Sequence, residues 1–251
     1  MKLLSSLVWT PFGYALGSIG IIFIIPTCFL VILPLKQRLN ILIYLWQAFA
    51  IWVCTFCFAC RFQFFDRRNK EDQRRLAPGL YIGNHQSYTD IPVNLMTFQV
   101  PSIMKKQVLR IPLIGLLGLM AGAVSVDRQK KESRKKAFDA VMDRVKTGLP
   151  IQFYPEGTRN PDIKNGPLNY EKIKKTLLLS AFDHNIPVTA VSLYNTEKII
   201  GPFGLIHPFI TVGQIIHPVL YPSDYECAED FAKACWQKVI DGYLELKQSI
   251  E

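Results

Sequence analysis

The sequence predicts an α/β domain, a mixed sheet flanked by helices, preceded by an N-terminal two-helix membrane anchor. Three observations carry that expectation. After about residue 61, short apolar runs alternate with stretches of helical period. Before it, charge nearly vanishes: residues 1–60 hold Lys2, Lys36 and Arg38 and no acid. Across 251 residues, 49% are apolar and 20% charged, which excludes disorder and a disulfide-stapled miniature and leaves room for one catalytic unit.

Taking the elements in order, no charge lies between Lys2 and Lys36, and between Arg38 and Arg61 the clearly polar side chains are Asn40, Gln47 and Thr55. Pro11, Gly13, Gly17, Gly20, Pro26 and Pro34 predict a kinked helix over about 12–33. A short basic turn joins it to a second helix over 39–60, which at about 1.5 Å per residue would be roughly 33 Å long, close to a bilayer's hydrocarbon thickness. Trp9, Trp46 and Trp52 suit the interface whether the hairpin crosses or lies partly submerged in one leaflet. The apolar run is too long for a signal peptide, and no small-residue cleavage pattern follows it. Cys54, Cys57 and Cys60 repeat every third residue without a nearby His, Asp or Glu, so they read as small apolar side chains rather than metal ligands. The six cysteines imply no disulfide framework, which fits a reducing compartment.

The expected division is therefore 1–60 as anchor and 61–251 as catalytic domain, with a linker near 61–76. Arg67, Arg68, Lys70, Arg74 and Arg75 form a basic collar there that favours the cytoplasmic face. Strands are expected near 79–82, 102–105, 123–126, 151–154, 188–193 and 209–214. The clearest helices are 131–147, with Ala137, Ala140, Val141 and Val145 inward, and 228–247, with Phe231, Cys235, Val239, Ile240 and Leu244 inward. Of the net charge of +9, the first sixty residues carry +3 and the remainder +6. Nucleic acid, anionic lipid and phosphorylated substrates all suit that charge. The apolar N-terminus selects lipid, and nucleic acid ranks last because no recognition helix or aromatic nucleic-acid motif is present.

The chemistry lies at strand ends. Gly83-Asn84-His85-Gln86-Ser87-Tyr88-Thr89-Asp90 follows the apolar run Leu80-Tyr81-Ile82. A carboxylate five residues after the His can fold back onto its ring, fixing the tautomer and stabilising the imidazolium, as a general base requires. Taken alone, a loop His with a capping Asp is more often merely structural. No G-x-S-x-G motif and no Cys near the His offer a separate nucleophile, so direct attack by a substrate hydroxyl is expected, without an acyl-enzyme. A second block, Tyr154-Pro155-Glu156-Gly157-Thr158-Arg159, follows another apolar strand. Gly157 lets amides point outward, Thr158 adds a hydroxyl donor and Arg159 a fork for two phosphate oxygens. The plain alternative is a turn with Glu156 paired to Arg159. Val126-Asp127-Arg128 and Lys105-Lys106 bring two more basic strand ends, and four ends on one rim make a ligand crevice in an open sheet.

In order and spacing these blocks resemble the glycerolipid acyltransferase family that contains lysophosphatidic acid acyltransferases. Asn84-His85 through Asp90 is similar to its N-H-x-x-x-x-D block, Gly122 through Arg128 to its glycine-to-D-R block, Tyr154 through Arg159 to its F-P-E-G-T-R block, and Ile186-Pro187-Val188 to its proline-containing fourth. The likeness covers roughly residues 76–195. It implies that His85 deprotonates the free sn-2 hydroxyl of lysophosphatidic acid and that Asp90 orients His85. Glu156, Gly157, Thr158 and Arg159 then belong to the acceptor site, with Arg128 and Lys105 adding positive charge near the phosphate. The implied donor is a thioester, acyl-CoA or acyl carrier protein, the product phosphatidic acid, and no bound cofactor or metal is called for. Ser125, Asn160, Ala190 and Thr176 depart from the usual pattern, which keeps another lysolipid acceptor open, as it does a silent membrane-binding scaffold. Membrane lipids are the expected partner, with apolar surface from the anchor and segment 111–117 as the entry route for lipid tails. His184, His207 and His217 match no metal spacing.

Overall fold

The computed structural model describes residues 2–74, 78–98, 100–111, 114–120, 122–160 and 166–251. Among the described residues seven strands form the sheets: β1 (Arg61–Asp66), β2 (Leu80–Gly83), β3 (Ile103–Lys105), β4 (Val124–Val126), β5 (Ile151–Phe153), β6 (Val188–Tyr194) and β7 (Thr211–Leu220). The main sheet has the order β1-β7-β6-β2-β5, and β3 pairs with β4. Every residue of β2, β5 and β6 is buried, as continuous apolar strands must be when helices cover both faces. Strand β2 runs parallel to β5 on one side and β6 on the other, with Leu80 opposite both Ile151 and Val188. The β3–β4 pair is parallel and joins this direction through a bridge between Ser102 and Gln152. The C-terminal ends of β2, β3, β4, β5 and β6 therefore face one rim. The sheet is mixed because β7 is antiparallel to β6 while β1 is parallel to β7.

The flanking helices are α4 (Asp90–Thr97), α5 (Ile114–Met120), α6 (Lys131–Lys146), α7 (Thr176–Asp183) and α8 (Ala228–Ile250), with short α3 at Lys70–Arg74. Helix α6 buries Ala137, Val141, Met142 and Val145, and α8 buries Phe231, Cys235, Trp236, Val239, Tyr243 and Leu246. Two expected inward residues are exposed. Ala140 and Leu244 each lie one position off a buried stripe, about 100° round the helix from it.

The expected linker at 61–76 is instead opened by strand β1. Its neighbours change the collar as well: Arg68 is buried and forks onto Asp66, with Nη2 2.6 Å and Nε 2.9 Å from the two carboxylate oxygens, while Arg67 pairs with Glu245. Arg75 lies outside the described residues.

At the N-terminus, α1 (Lys2–Ile24) starts earlier than expected and carries Pro11 internally. Pro26, which cannot donate an amide, coincides with the change to tighter 3-10 turns over Ile25–Ile32, and Pro34 then precedes α2 (Leu35–Trp52), which ends in a wide turn at Val53–Cys57. Among the described residues one helix, Leu3–Thr27, is long and apolar enough to cross a membrane; Tyr44–Cys57 is a shorter apolar stretch. The second expected helix differs because one of its faces belongs to the protein interior. Leu42, Trp46, Ala50 and Cys54 are buried, and Gln47 donates to the Met96 carbonyl at 2.8 Å, tying α2 to α4. Cys54 and Cys60 join Val93, Leu193, Ile199 and Val212 in one apolar cluster, so these thiols fill a protein core. Helix α1 closes on the end of α2 where Gly13 meets the Cys57 carbonyl, an approach any side chain would block, and Trp9 Nε1 donates to that carbonyl at 3.0 Å.

Candidate active site

The site is assembled where β2, β4, β5 and β6 end. Strand β2 stops at Gly83, and Asn84 locks its exit by a two-way bond to the neighbouring strand: Nδ2 donates to the Leu193 carbonyl and Oδ1 accepts from the Leu193 amide, both at 2.8 Å. The chain then turns into α4, whose first residue is Asp90. That turn brings Asp90 Oδ2 to 2.7 Å from His85 Nδ1. The same oxygen accepts from the amides of Gln86 at 2.8 Å and Ser87 at 3.0 Å, and Oδ1 accepts from the Thr196 hydroxyl. Every one of these partners is a donor, which suits oxygens that only accept. Asp90 has no exposed side-chain surface, whereas the His85 side chain keeps 19%. With Nδ1 given to the carboxylate, Nε2 is the nitrogen left for a ligand. The imidazole also stacks on Tyr154, ring centroids 4.3 Å apart and 17° from coplanar, which fixes its plane. Burial, and after it Asp90, pushes the Tyr154 phenol well up, so this ring stays neutral.

Glu156 binds the two blocks together. Its Oε2 accepts from the His85 amide at 2.8 Å and its Oε1 from the Leu168 amide at 3.0 Å, while Asn160 donates its own amide to the His85 carbonyl at 2.9 Å. Burial raises the carboxyl's pKa, and the two amide donors oppose that shift. The turn forms, but without the Glu156–Arg159 pairing considered from the sequence: Glu156 is buried, and Arg159 is exposed with its guanidinium 4.1 Å above the ring of Tyr88. Asn160, a departure from the expected motif, has a use here, since Nδ2 donates to the Gly166 carbonyl at 2.8 Å.

Gly157 takes φ +73°, a left-handed turn that leaves its carbonyl to accept from Arg128 at the end of β4. Arg128 and Lys105 line a crevice of about 390 Å³ with Gln107, Asp127 and Gln129. Thr158 is exposed at the tip of the turn. All eight expected residues thus lie on the strand-end rim, His85, Asp90 and Glu156 in one bonded network and Lys105 and Arg128 at the crevice.

Three contributors were absent from the expected set. Thr196 follows β6, and its strand-end position was the available signal. Tyr154 was quoted in its block without a role. Lys174 arrives from the segment before α7: its amide donates to the Pro155 carbonyl at 2.8 Å, and its ammonium would lie 2.6 Å from a Cβ placed on Gly157. Partial burial, then the charges of Arg128, Arg134 and Lys105, lower the Lys174 pKa, which marks these four cations as one cluster. Among the described residues, none of the four has a carboxylate ion-pair partner.

Comparison with known proteins gives the family and the fold. A Brassica napus protein named chloroplastic 1-acyl-sn-glycerol-3-phosphate acyltransferase is 34% identical over 160 residues, covering 62% of this chain and 44% of its own length. A Haemophilus influenzae protein named 1-acyl-sn-glycerol-3-phosphate acyltransferase is 29% identical over 133 residues, covering 52% of this chain and 55% of its own. The chain thus spans about half the length of the curated relatives it matches. The crystal structure of a 1-acyl-sn-glycerophosphate acyltransferase from Thermotoga maritima superposes over 98% of both chains with a TM-score of 0.80 at 23% identity, a likeness of fold. Residues 46–194, which hold every strand-end block, match the family model described as Acyltransferase, and the chain belongs to that family.

Proposed function

We propose that this protein moves an acyl chain from a thioester, acyl-CoA or acyl carrier protein, to the free sn-2 hydroxyl of lysophosphatidic acid, giving phosphatidic acid. The observation that carries the reading is the bond from His85 Nδ1 to a fully buried Asp90, which leaves Nε2 as the base. The acceptor hydroxyl gives its proton to Nε2 as its oxygen attacks the thioester carbonyl. The tetrahedral intermediate then expels the thiolate, which takes the proton back from the imidazolium, so the ring ends as it began. Asp90 holds the charged ring between the two transfers. Base catalysis of this kind supplies about 10²–10⁴-fold, and fixing two reactants in attack geometry removes roughly 7–11 kcal/mol of barrier, so placement of the acceptor outweighs the proton transfer.

Placement falls to the cations. Arg128, Lys105 and Arg159, with the Thr158 hydroxyl and the Gly157 turn, receive the phosphate, and the names of the relatives support that head group. Glu156, its oxygens already taken by amides, serves the acceptor site from behind by holding His85 and the Gly157 turn in one frame.

Residues 1–60 form the hairpin that contacts the membrane, and 61–251 the acyltransferase domain, placed at the cytoplasmic face. The free thiols Cys54, Cys57, Cys60, Cys227 and Cys235 suit a reducing compartment. Submersion in one leaflet fits better than crossing. Thr10 accepts from the Ile206 amide at 2.9 Å and Tyr14 donates to the Gly204 carbonyl at 2.9 Å, so irregular backbone lies along α1, and such backbone is not left facing lipid in a bilayer core. Lipid tails enter beside α5, in the segment 111–117, of which 112 and 113 lie outside the described residues.

The test is phosphatidic acid formation by the full chain in vesicles, with labelled acyl-CoA and a panel of lysolipids. Acylation of lysophosphatidic acid at the highest kcat/KM supports the assignment. Preference for another lysolipid overturns the acceptor, and no transfer to any lysolipid leaves the scaffold reading standing.

A further inference from the structure

The twelve residues from Ile199 to Ile210, Ile-Ile-Gly-Pro-Phe-Gly-Leu-Ile-His-Pro-Phe-Ile, contain no acid, lysine or arginine. They join β6 to β7, a position where loops are ordinarily polar and solvated. Phe203 stands at their tip with its whole surface exposed, 102%, and Phe209 is 59% exposed. Both hold left-handed backbone, φ +59° and φ +65°, which disfavours bulky side chains. A fully wetted phenyl ring on a disfavoured backbone gains nothing within this molecule. The arrangement becomes favourable when an apolar phase receives the ring.

The loop is fastened to α1 along one face of that helix. Ser6 Oγ lies 2.8 Å from His207 Nδ1, the Ile206 amide donates to Thr10 Oγ1, and Tyr14 donates to Gly204, contacts spaced four residues apart. Trp9 meets Phe209 with ring centroids 6.0 Å apart. On its other faces α1 exposes Leu3, Leu4, Leu7, Val8 and Phe12, and no charge follows Lys2 along the helix. The wedge is therefore continuous with the one helix, among the described residues, that is long and apolar enough to cross a membrane, and it is held there by bonds that satisfy the loop's own polar groups.

We propose that Phe203 and Phe209 form an interfacial wedge that enters the same lipid leaflet as α1, a membrane contact contributed by the α/β domain and separate from the N-terminal hairpin. The occupant is a lipid surface. Shallow aromatic insertion beside an amphipathic element is a common way for a protein to lie on a membrane. The inference rests on the membrane reading above and is independent of the acyl-transfer chemistry.

The experiment uses the full chain and vesicles of phosphatidylcholine and phosphatidylglycerol. Phe203→Asp and Phe209→Asp should each weaken vesicle partitioning, the first by about ten-fold or more, with unchanged thermal unfolding and unchanged turnover of short-chain lysophosphatidic acid below its micellar concentration. In Phe203→Trp, the fluorescence added over wild type should be quenched by lipids brominated near the head-group end of the acyl chain. Wild type that binds vesicles while both Asp variants bind equally well, with the new Trp unquenched, overturns the wedge and leaves the hairpin reading intact. Wild type that fails to bind vesicles overturns both. A lipid-free dimer that Phe203→Asp dissociates, with no bromine quenching, assigns the ring to a second copy and also overturns the proposal. Because vesicle binding is read without substrate, a missing acyltransferase activity does not disturb the result.

Discussion

Two histidines of this chain stand in opposite surroundings. His85 sits at the end of β2 with a carboxylate on one nitrogen and part of its ring open. His217 sits within β7, buried, with Ser192 Oγ 3.0 Å from its Nε2 and the Ser192 hydroxyl also bonded to the Val239 carbonyl at 2.9 Å. Burial, then the charges of Arg67 and Lys238, push the His217 pKa down to about 4, against weaker opposition from Glu245 and Asp241. The residue type is the same, and its placement along a strand decides its use. A ring at a strand's end can be given an acid and a ligand; a ring in the middle of a covered sheet can only be kept neutral.

The largest expected effect breaks the first member of the pair. His85→Ala should lower phosphatidic acid formation by about 10²–10⁴-fold while leaving circular dichroism and vesicle binding as in wild type. Activity equal to wild type would remove His85 from the chemistry. The second concerns His217 and is one of stability. Its folded pKa lies below the unfolded value of 6.5, so the unfolded chain binds more protons as the pH falls. Its contribution is complete above about pH 6.5 and is lost progressively down to about pH 4, a change on the order of 3 kcal/mol. Urea titrations at pH 7, 5.5 and 4 would measure it, and a stability unchanged across that range would contradict the buried neutral ring.

Glu156→Gln sharpens the contrast from the frame around His85. An amide keeps the shape but offers one acceptor atom, so either the His85 or the Leu168 N–H loses its partner, at about 1–3 kcal/mol. A lower midpoint in thermal unfolding with kcat reduced and KM nearly constant is expected; a rise in KM alone would place Glu156 against the acceptor. Smallest is Lys174→Met, which removes one of four clustered cations and should raise KM for lysophosphatidic acid by a few-fold with kcat unchanged, an effect that added salt diminishes. Insensitivity of KM to both the substitution and salt would exclude this lysine from the head-group site.

The strand-end placement of the blocks was legible because each follows an apolar run short enough to be only a strand, and parallel strands deliver such ends to one side. Thr196 was harder to find, since its partner Asp90 lies 106 residues away and no local pattern links them. Lys174 stood in the segment Ile173-Lys174-Lys175-Thr176, which resembles a family F-K-K-G segment without its Gly, but nothing local says that its side chain reaches Gly157. Strand β1 was misread because Arg-Phe-Gln-Phe-Phe-Asp begins and ends with charge beside a basic stretch, and its partner, β7, comes 150 residues later in register. In the hairpin, composition overstated lipid exposure. A helix apolar on all sides gives no sign of which face turns toward protein, so the buried stripe Leu42, Trp46, Ala50 and Cys54 had no signature of its own.

That stripe sets a distance. Helix α2 is keyed to α4 by Gln47, and α4 begins with the acid bonded to the His85 imidazole, so no tether of adjustable length separates the proposed membrane hairpin from the proposed base. On the proposed single-leaflet placement, the depth at which the hairpin rests becomes the altitude of the proposed base, and a change in that depth would register at Nε2 as a change in reach rather than in affinity.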